Sequence, residues 1–140
     1  NSYTGGNSMK ELSIITDNRI GTLANVAEAL GGVGINIEAI AAYEQGGRAV
    51  FRVLTRDAIS ARKALEKAPG VKGIVVSDVV VTKMSNRPGE LGKLTRKMAN
   101  RGIDLESVYI VSKKDDYTEV AVKPVEEHLP KVESLLNIKH

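Results

Sequence analysis

The chain has 140 residues, with 20 Lys+Arg against 17 Asp+Glu, 42% hydrophobic and 26% charged residues, the make-up of one ordinary globular domain or two small ones. Residues 1–77 carry nine basic and seven acidic side chains and residues 78–140 carry eleven and ten, so no basic tail or face points to nucleic acid. Cysteine is absent, which excludes disulfides, thiolate nucleophiles, iron–sulfur clusters and cysteine-held zinc.

His128 and His140 lie too far apart in sequence for a local metal box, and no cofactor or metal is expected. No apolar run approaches the about 18 residues of a membrane span; a cytoplasmic protein without a membrane partner is expected. Residues 1–8 are small, polar and uncharged, which reads as a flexible tail or a cloning remnant, with Met9 as the native start.

From Lys10 to Asp17 the apolar residues Leu12, Ile14 and Ile15 suit a strand. Asp17 or Asn18 is placed to cap a following helix, because their side-chain oxygens accept from first-turn amides. Leu23, Val26, Ala27 and Leu30 then recur at helical spacing, and Gly31, Gly32 and Gly34 end the helix. Two β-rich runs, 35–43 and 48–55, flank Gln45-Gly46-Gly47, a hairpin signal. A second helix carries Ala58, Ala61, Leu65 and Ala68 and stops at Pro69-Gly70. The β-branched stretch 73–84 then joins a last strand to a new first one.

From there the pattern repeats. A shift of 68 residues superposes Asn18-Arg19-Ile20-Gly21-Thr22-Leu23 on Asn86-Arg87-Pro88-Gly89-Glu90-Leu91, and Gly34-Ile35-Asn36-Ile37-Glu38 on Gly102-Ile103-Asp104-Leu105-Glu106. Seven of 23 positions are identical without a gap. In the second copy Leu91, Leu94 and Met98 form the helical stripe, 103–112 and 117–123 a hairpin, and Val125, Leu129, Val132 and Leu136 a last helix. The order strand–helix–strand–strand–helix–strand is the ferredoxin-like βαββαβ motif, with an antiparallel sheet and both helices on one face. Repeat 1 spans 9–77 and repeat 2 spans 78–140; the second is expected to lack its last strand. The run 49–54 is apolar on both faces, so the uncovered sheet face calls for a repeat or another chain against it.

Function has to come from a site, since this fold hosts many. The turn Asn-Arg-x-Gly-x-Leu occurs twice. Its glycine permits unusual backbone angles, and it opens onto a helix N-terminus whose unpaired amides attract a carboxylate. Asn36 and Asp104, at the start of the facing strand, offer acceptors to an ammonium group. Together these grips describe an α-amino acid. The plainer alternative is that Gly21 and Gly89 only make turns and Asn18 and Asn86 only cap helices.

On these residues both copies resemble ACT domains, the ligand-binding modules attached to enzymes of amino-acid metabolism. The resemblance implies side-by-side pairing of modules and an amino acid bound near the turn at a repeat or subunit interface. Residue by residue it implies ligand contacts from Asn18, Arg19, Ile20, Gly21, Thr22, Leu23, Asn36 and Ile37, and from Asn86, Arg87, Pro88, Gly89, Glu90, Leu91, Asp104 and Leu105. Ile20 departs from the proline usual in the family. The turn also resembles that of the small regulatory subunit of acetohydroxyacid synthase, although the tandem duplication sets this chain apart. The expectation is a non-catalytic module that binds an amino acid, forms a homodimer and modulates a separately encoded metabolic enzyme. The alternative is an assembly module acting through protein contacts alone. RNA binding is disfavoured by one Phe, four Tyr and no Trp, and no nucleophile–base pair or phosphate loop supports catalysis.

Overall fold

The computed structural model describes residues 9–137; the reading of residues 1–8 as a tail lies outside them. Leu12 and Ile14 alternate inward along β1 (Lys10–Asp17), which pairs antiparallel with β3 (Arg48–Thr55) so that Leu12 faces Val53 and Ile14 faces Phe51. Strand β2 (Ala39–Gln45) pairs with the other side of β3, and β4 (Val71–Asp78) completes a sheet of order β2-β3-β1-β4. Helix α1 (Thr22–Gly31) buries Val26 and Leu30, and α2 (Ala58–Glu66) buries Ala61 and Leu65, against this face. Ile74 and Val76 of β4 pack on the same core. One compact unit ends at Ser77 and the other begins at Asp78.

The second unit repeats the plan with β5 (Val80–Ser85), α3 (Glu90–Asn100), β6 (Leu105–Lys113), β7 (Tyr117–Pro124), one 3-10 turn (Glu126–His128) and α4 (Leu129–Leu135). Its described strands form a three-stranded sheet of order β5-β7-β6. Val80, Val120 and Val122 meet Met98, Ile103, Val132 and Leu136 in its core.

Several expectations shift. The strands expected from Ile35 and Ile103 start later, at Ala39 and Leu105. The Ile35 and Ile103 amides are taken by Leu30 and Met98 carbonyls, both at 3.0 Å, in a helix-ending loop over Gly34 and Gly102 at φ 75 and 68. The expected stripe begins one turn too early. Leu23 and Leu91 stand 51% and 40% exposed at the helix starts, while Val26, Leu30 and Met98 are buried. Val125 precedes the 3-10 turn instead of lying in the last helix. Val50 and Leu54, on the sheet face away from α1 and α2, are buried as well as Phe51 and Val53.

That outer face also holds a feature the sequence did not announce. Glu11 is fully buried and accepts from Arg52 Nη1 at 2.8 Å, while Arg52 Nε donates to the Tyr43 hydroxyl at 3.1 Å. Burial works against the Arg52 charge, but Tyr43 and Glu11 outweigh it, and the guanidinium pKa is raised overall.

Candidate functional site

Each strand-to-helix turn is a tight four-residue loop closed by its own backbone. The Thr22 amide donates to the Arg19 carbonyl at 3.2 Å, and the Glu90 amide to the Arg87 carbonyl at 3.3 Å. Gly21 and Gly89 sit third in these turns at φ 89, ψ −7 and φ 88, ψ −12. Those angles belong to the type II turn, which wants glycine there and accepts proline one place earlier. Pro88 takes that place in the second copy and Ile20 in the first. Nothing lies within 4 Å of where a Cβ would stand on either glycine; the need for glycine is conformational, with open space above it.

The caps differ from expectation. Gly21 and Gly89 are themselves the N-cap residues, and no side chain caps either helix. Asp17 and Asn18 fall too far before the first helical residue to reach its amides; Asp17 instead pairs with Arg19 at 3.5 Å and Lys72 at 3.8 Å. Asn86 turns toward the β6–β7 hairpin, donating from Nδ2 to the Lys114 carbonyl at 2.7 Å. The next amides, of Leu23 and Ala24 and of Leu91 and Gly92, precede the first helical hydrogen bonds, which run from Asn25 to Gly21 and from Lys93 to Gly89. They face outward as first-turn donors do.

Side chains around the two turns are unlike. In the first, Thr22 is buried and its hydroxyl donates to the Arg19 carbonyl at 2.9 Å, and Ile20 is wholly exposed. In the second, Glu90 takes the place of Thr22 and pairs with Lys93 at 3.3 Å. Arg87 and Pro88 are exposed.

Asn36 and Asp104 do not face these turns within their own repeats. In the first unit Asp17 and Gln45 align with Arg48 at the turn end of the sheet, whereas Lys10 aligns with Thr55 and Ala39 with Leu54 at the other. Asn36 therefore enters about seven residue steps, roughly 23 Å, from the turn. In the second unit Ser85 aligns with Tyr117 and Leu105 with Pro124, which separates the turn from Asp104 in the same way. One helix runs the length of the sheet between turn and strand, so its two ends are opposite ends of the module. Asn36 Nδ2 donates to Glu38 at 3.4 Å. The Asp104 amide donates to His128 Nδ1 at 2.9 Å, a partner that nothing in the spacing signalled. Ile37 and Leu105 pack against their cores.

Among the described residues no group of His, Cys, Asp and Glu could hold a metal, and no helix is long and apolar enough to cross a membrane.

The sequence model of the ACT domain pair matches residues 7–116. Among solved structures, a protein from Bacteroides thetaiotaomicron is 26% identical, with 93% of this chain and 89% of that one covered and a TM-score of 0.76. The ligand-free regulatory subunit of aspartate kinase from Thermus thermophilus is 17% identical over 98% of this chain and 97% of its own, with a TM-score of 0.69. That from Thermus flavus is 16% identical over the same shares, with a TM-score of 0.65. No curated protein sequence matches.

Proposed function

The chain belongs to the ACT domain pair family, and on that premise we propose that it is a non-catalytic regulatory module that binds an amino acid at its strand-to-helix turns and modulates a separately encoded enzyme of amino-acid metabolism. ACT domains are regulatory, and the aspartate kinase subunits that share the fold are regulatory subunits by name. The observation that carries the reading is the turn itself: two glycines at the same left-handed angles, each opening unpaired amides onto accessible space. Such a turn gives a carboxylate two or more backbone donors at the positive end of a helix.

Because Asn36 and Asp104 lie at the far ends of their modules, the ammonium grip has to come from a module other than the one offering the turn. A second copy of the chain supplies such modules, and a cytoplasmic homodimer is the assembly proposed. Arg19 is held by Asp17, whereas among the described residues no ion pair engages Arg87. The second turn is therefore the stronger site, with Arg87, Gly89, Glu90 and Leu91 around the ligand.

The test is the melting temperature of the chain with each common amino acid at millimolar concentration. A ligand at about 100 times its dissociation constant adds about 2.7 kcal/mol. One or a few amino acids should raise the midpoint, and Gly89→Val should remove the response more fully than Gly21→Val. No response to any amino acid would leave the ligand-free assembly module in its place.

A further inference from the structure

The helix faces of the two repeats differ in charge. At the shift of 68 residues, Asn25, Glu28, Ala29 and Val33 of the first repeat become Lys93, Arg96, Lys97 and Arg101 in the second. Lys93, Lys97 and Arg101 recur at every fourth residue, which makes them one row from α3 to its C-cap, about 12 Å long. Two hollows lie between this row and α4. One sets Lys93 and Lys97 beside Leu94, Leu135 and Leu136, and the other sets Arg101 beside Pro130 and Lys131.

Lys93, Arg96, Lys97, Arg101 and Lys131 are all exposed. Glu90 pairs with Lys93, Glu133 lines neither hollow, and among the described residues no ion pair engages Arg96, Lys97, Arg101 or Lys131. Like charges four residues apart weaken a helix. The fold does not require them here, since the first repeat builds the same helix and loop with Asn25, Ala29 and Val33. Residues 78–140 carry eleven basic and ten acidic side chains, so it is the packing of α3 beside α4 that gathers one sign of charge on one face. Such a face attracts acidic partners. Between the cations the surface is hydrocarbon from Leu94, Leu135 and Pro130, which a phosphate backbone cannot use, and no aromatic side chain lines either hollow to stack a base. A helix with carboxylates and apolar side chains on one side matches both the charge and the hydrocarbon.

We propose that this face docks an acidic amphipathic helix of a partner protein, its carboxylates along the Lys93–Lys97–Arg101 row and its apolar side chains over Leu94 and Leu135. Helix-in-groove recognition reads anchors at helical spacing, and complementary charge sets encounter rate and partner choice. The inference rests on the regulatory reading for the existence of a partner protein and names the face that partner meets. It needs no bound amino acid, so either can fail alone.

The probes are three helical peptides on one Ala–Leu frame, titrated onto the full chain without amino acids. One carries three Glu four residues apart, one carries Gln at those places, and one has the same three Glu scattered round the helix. The Glu-row peptide should bind roughly tenfold tighter than the Gln peptide at low salt, as a few exposed ion pairs give, and the preference should fade as salt screens it. The scattered peptide should fall well below the Glu row. In the double variant Lys97→Glu with Arg101→Glu the preference should vanish, and in Lys97→Gln with Arg101→Gln it should shrink; melting temperatures check both folds. The control Lys63→Glu with Lys67→Glu changes net charge equally on α2 and its C-cap and should keep the preference. Equal affinity for the Glu-row and Gln or scattered peptides, a preference that survives both variants at Lys97 and Arg101, or an equal loss in the control would each overturn the proposal. Tighter binding of an oligonucleotide or of phosphatidylserine vesicles than of the Glu-row peptide would also overturn it and assign the face to nucleic acid or membrane.

Discussion

Both repeats turn from first strand to first helix through the same backbone loop, yet the residues around it have gone separate ways. Arg19-Ile20-Gly21-Thr22 and Arg87-Pro88-Gly89-Glu90 share a closing hydrogen bond and matching glycine angles. Around them, the first turn has Asp17 holding Arg19 and a buried Thr22, and the second has a Glu90–Lys93 pair and a hairpin contact through Asn86. A duplicated fold keeps what its backbone requires and is free to vary what its side chains offer. The outer sheet faces make the same point. A buried Glu11 pairs with a partly exposed Arg52 in the first unit, where the second has Val79 and, by strand register, Ala121.

That last contrast gives the largest expected effect. Removing Glu11 leaves the partly exposed Arg52 guanidinium without its carboxylate but still bonded to Tyr43, at about 1–3 kcal/mol. Glu11→Ala should therefore lower stability toward that extent in urea unfolding. Replacing both with apolar residues of similar volume, Glu11→Leu with Arg52→Met, should recover most of the loss, because it gives the first unit the solution the second already uses. If the double variant is as damaged as the single one, the outer faces of the two units do not obey the same rules.

The turns differ by less. Proline suits the second place of a type II turn and restricts the unfolded chain. Ile20→Pro should stabilise by about 0.4–1 kcal/mol, and Pro88→Ile should destabilise by a similar amount. Denaturation midpoints at unchanged slope would measure both. A loss on Ile20→Pro would show that the first turn needs a freedom the second does without.

The smallest effect concerns the second helices. Asp57 caps α2, its carboxylate accepting from the Ser60 amide at 3.1 Å, whereas α4 starts from His128 without a side-chain cap. The Ser60 hydrogen bonds hold the Asp57 carboxyl below its usual range. A depressed folded pKa means the cap contributes fully above the unfolded carboxylate's value and is lost as pH falls through the folded one. Asp57→Ala should lower the melting temperature at neutral pH. Its deficit should shrink as the pH drops below the ordinary carboxylate range; a deficit that stays constant with pH would mean the charge is not what caps the helix.

Much of this was readable in the residues. Lys10–Asp17 and Arg48–Thr55 were placed to the residue, because short β-branched and apolar runs bounded by turn residues read as strands whether one face or both are apolar. Gly21 and Gly89 could be singled out because only glycine takes a left-handed angle without strain. The helix starts were misread for the same reason: Asp17 and Asn18 have capping side chains, but the glycine turn inserts residues between them and the helix. Leu23 and Leu91 fit the periodicity and still stand exposed, since spacing fixes a residue's face and not how far along the helix the core extends. The placement of Asn36 and Asp104 opposite their turns was a claim of proximity, and proximity depends on how a helix spans the sheet.

By itself, the sequence determined the duplicated strand–helix order, the hairpins and the two glycine turns, because hydrophobic period and backbone freedom act between near neighbours. Tertiary structure alone decided that turn and acceptor stand at opposite ends of each module, that Glu11 and Arg52 meet across the sheet, and that the cations of α3 gather beside α4 on one face. Each of these is set by how strands register and how helices lie across them, which brings together residues that no local pattern relates.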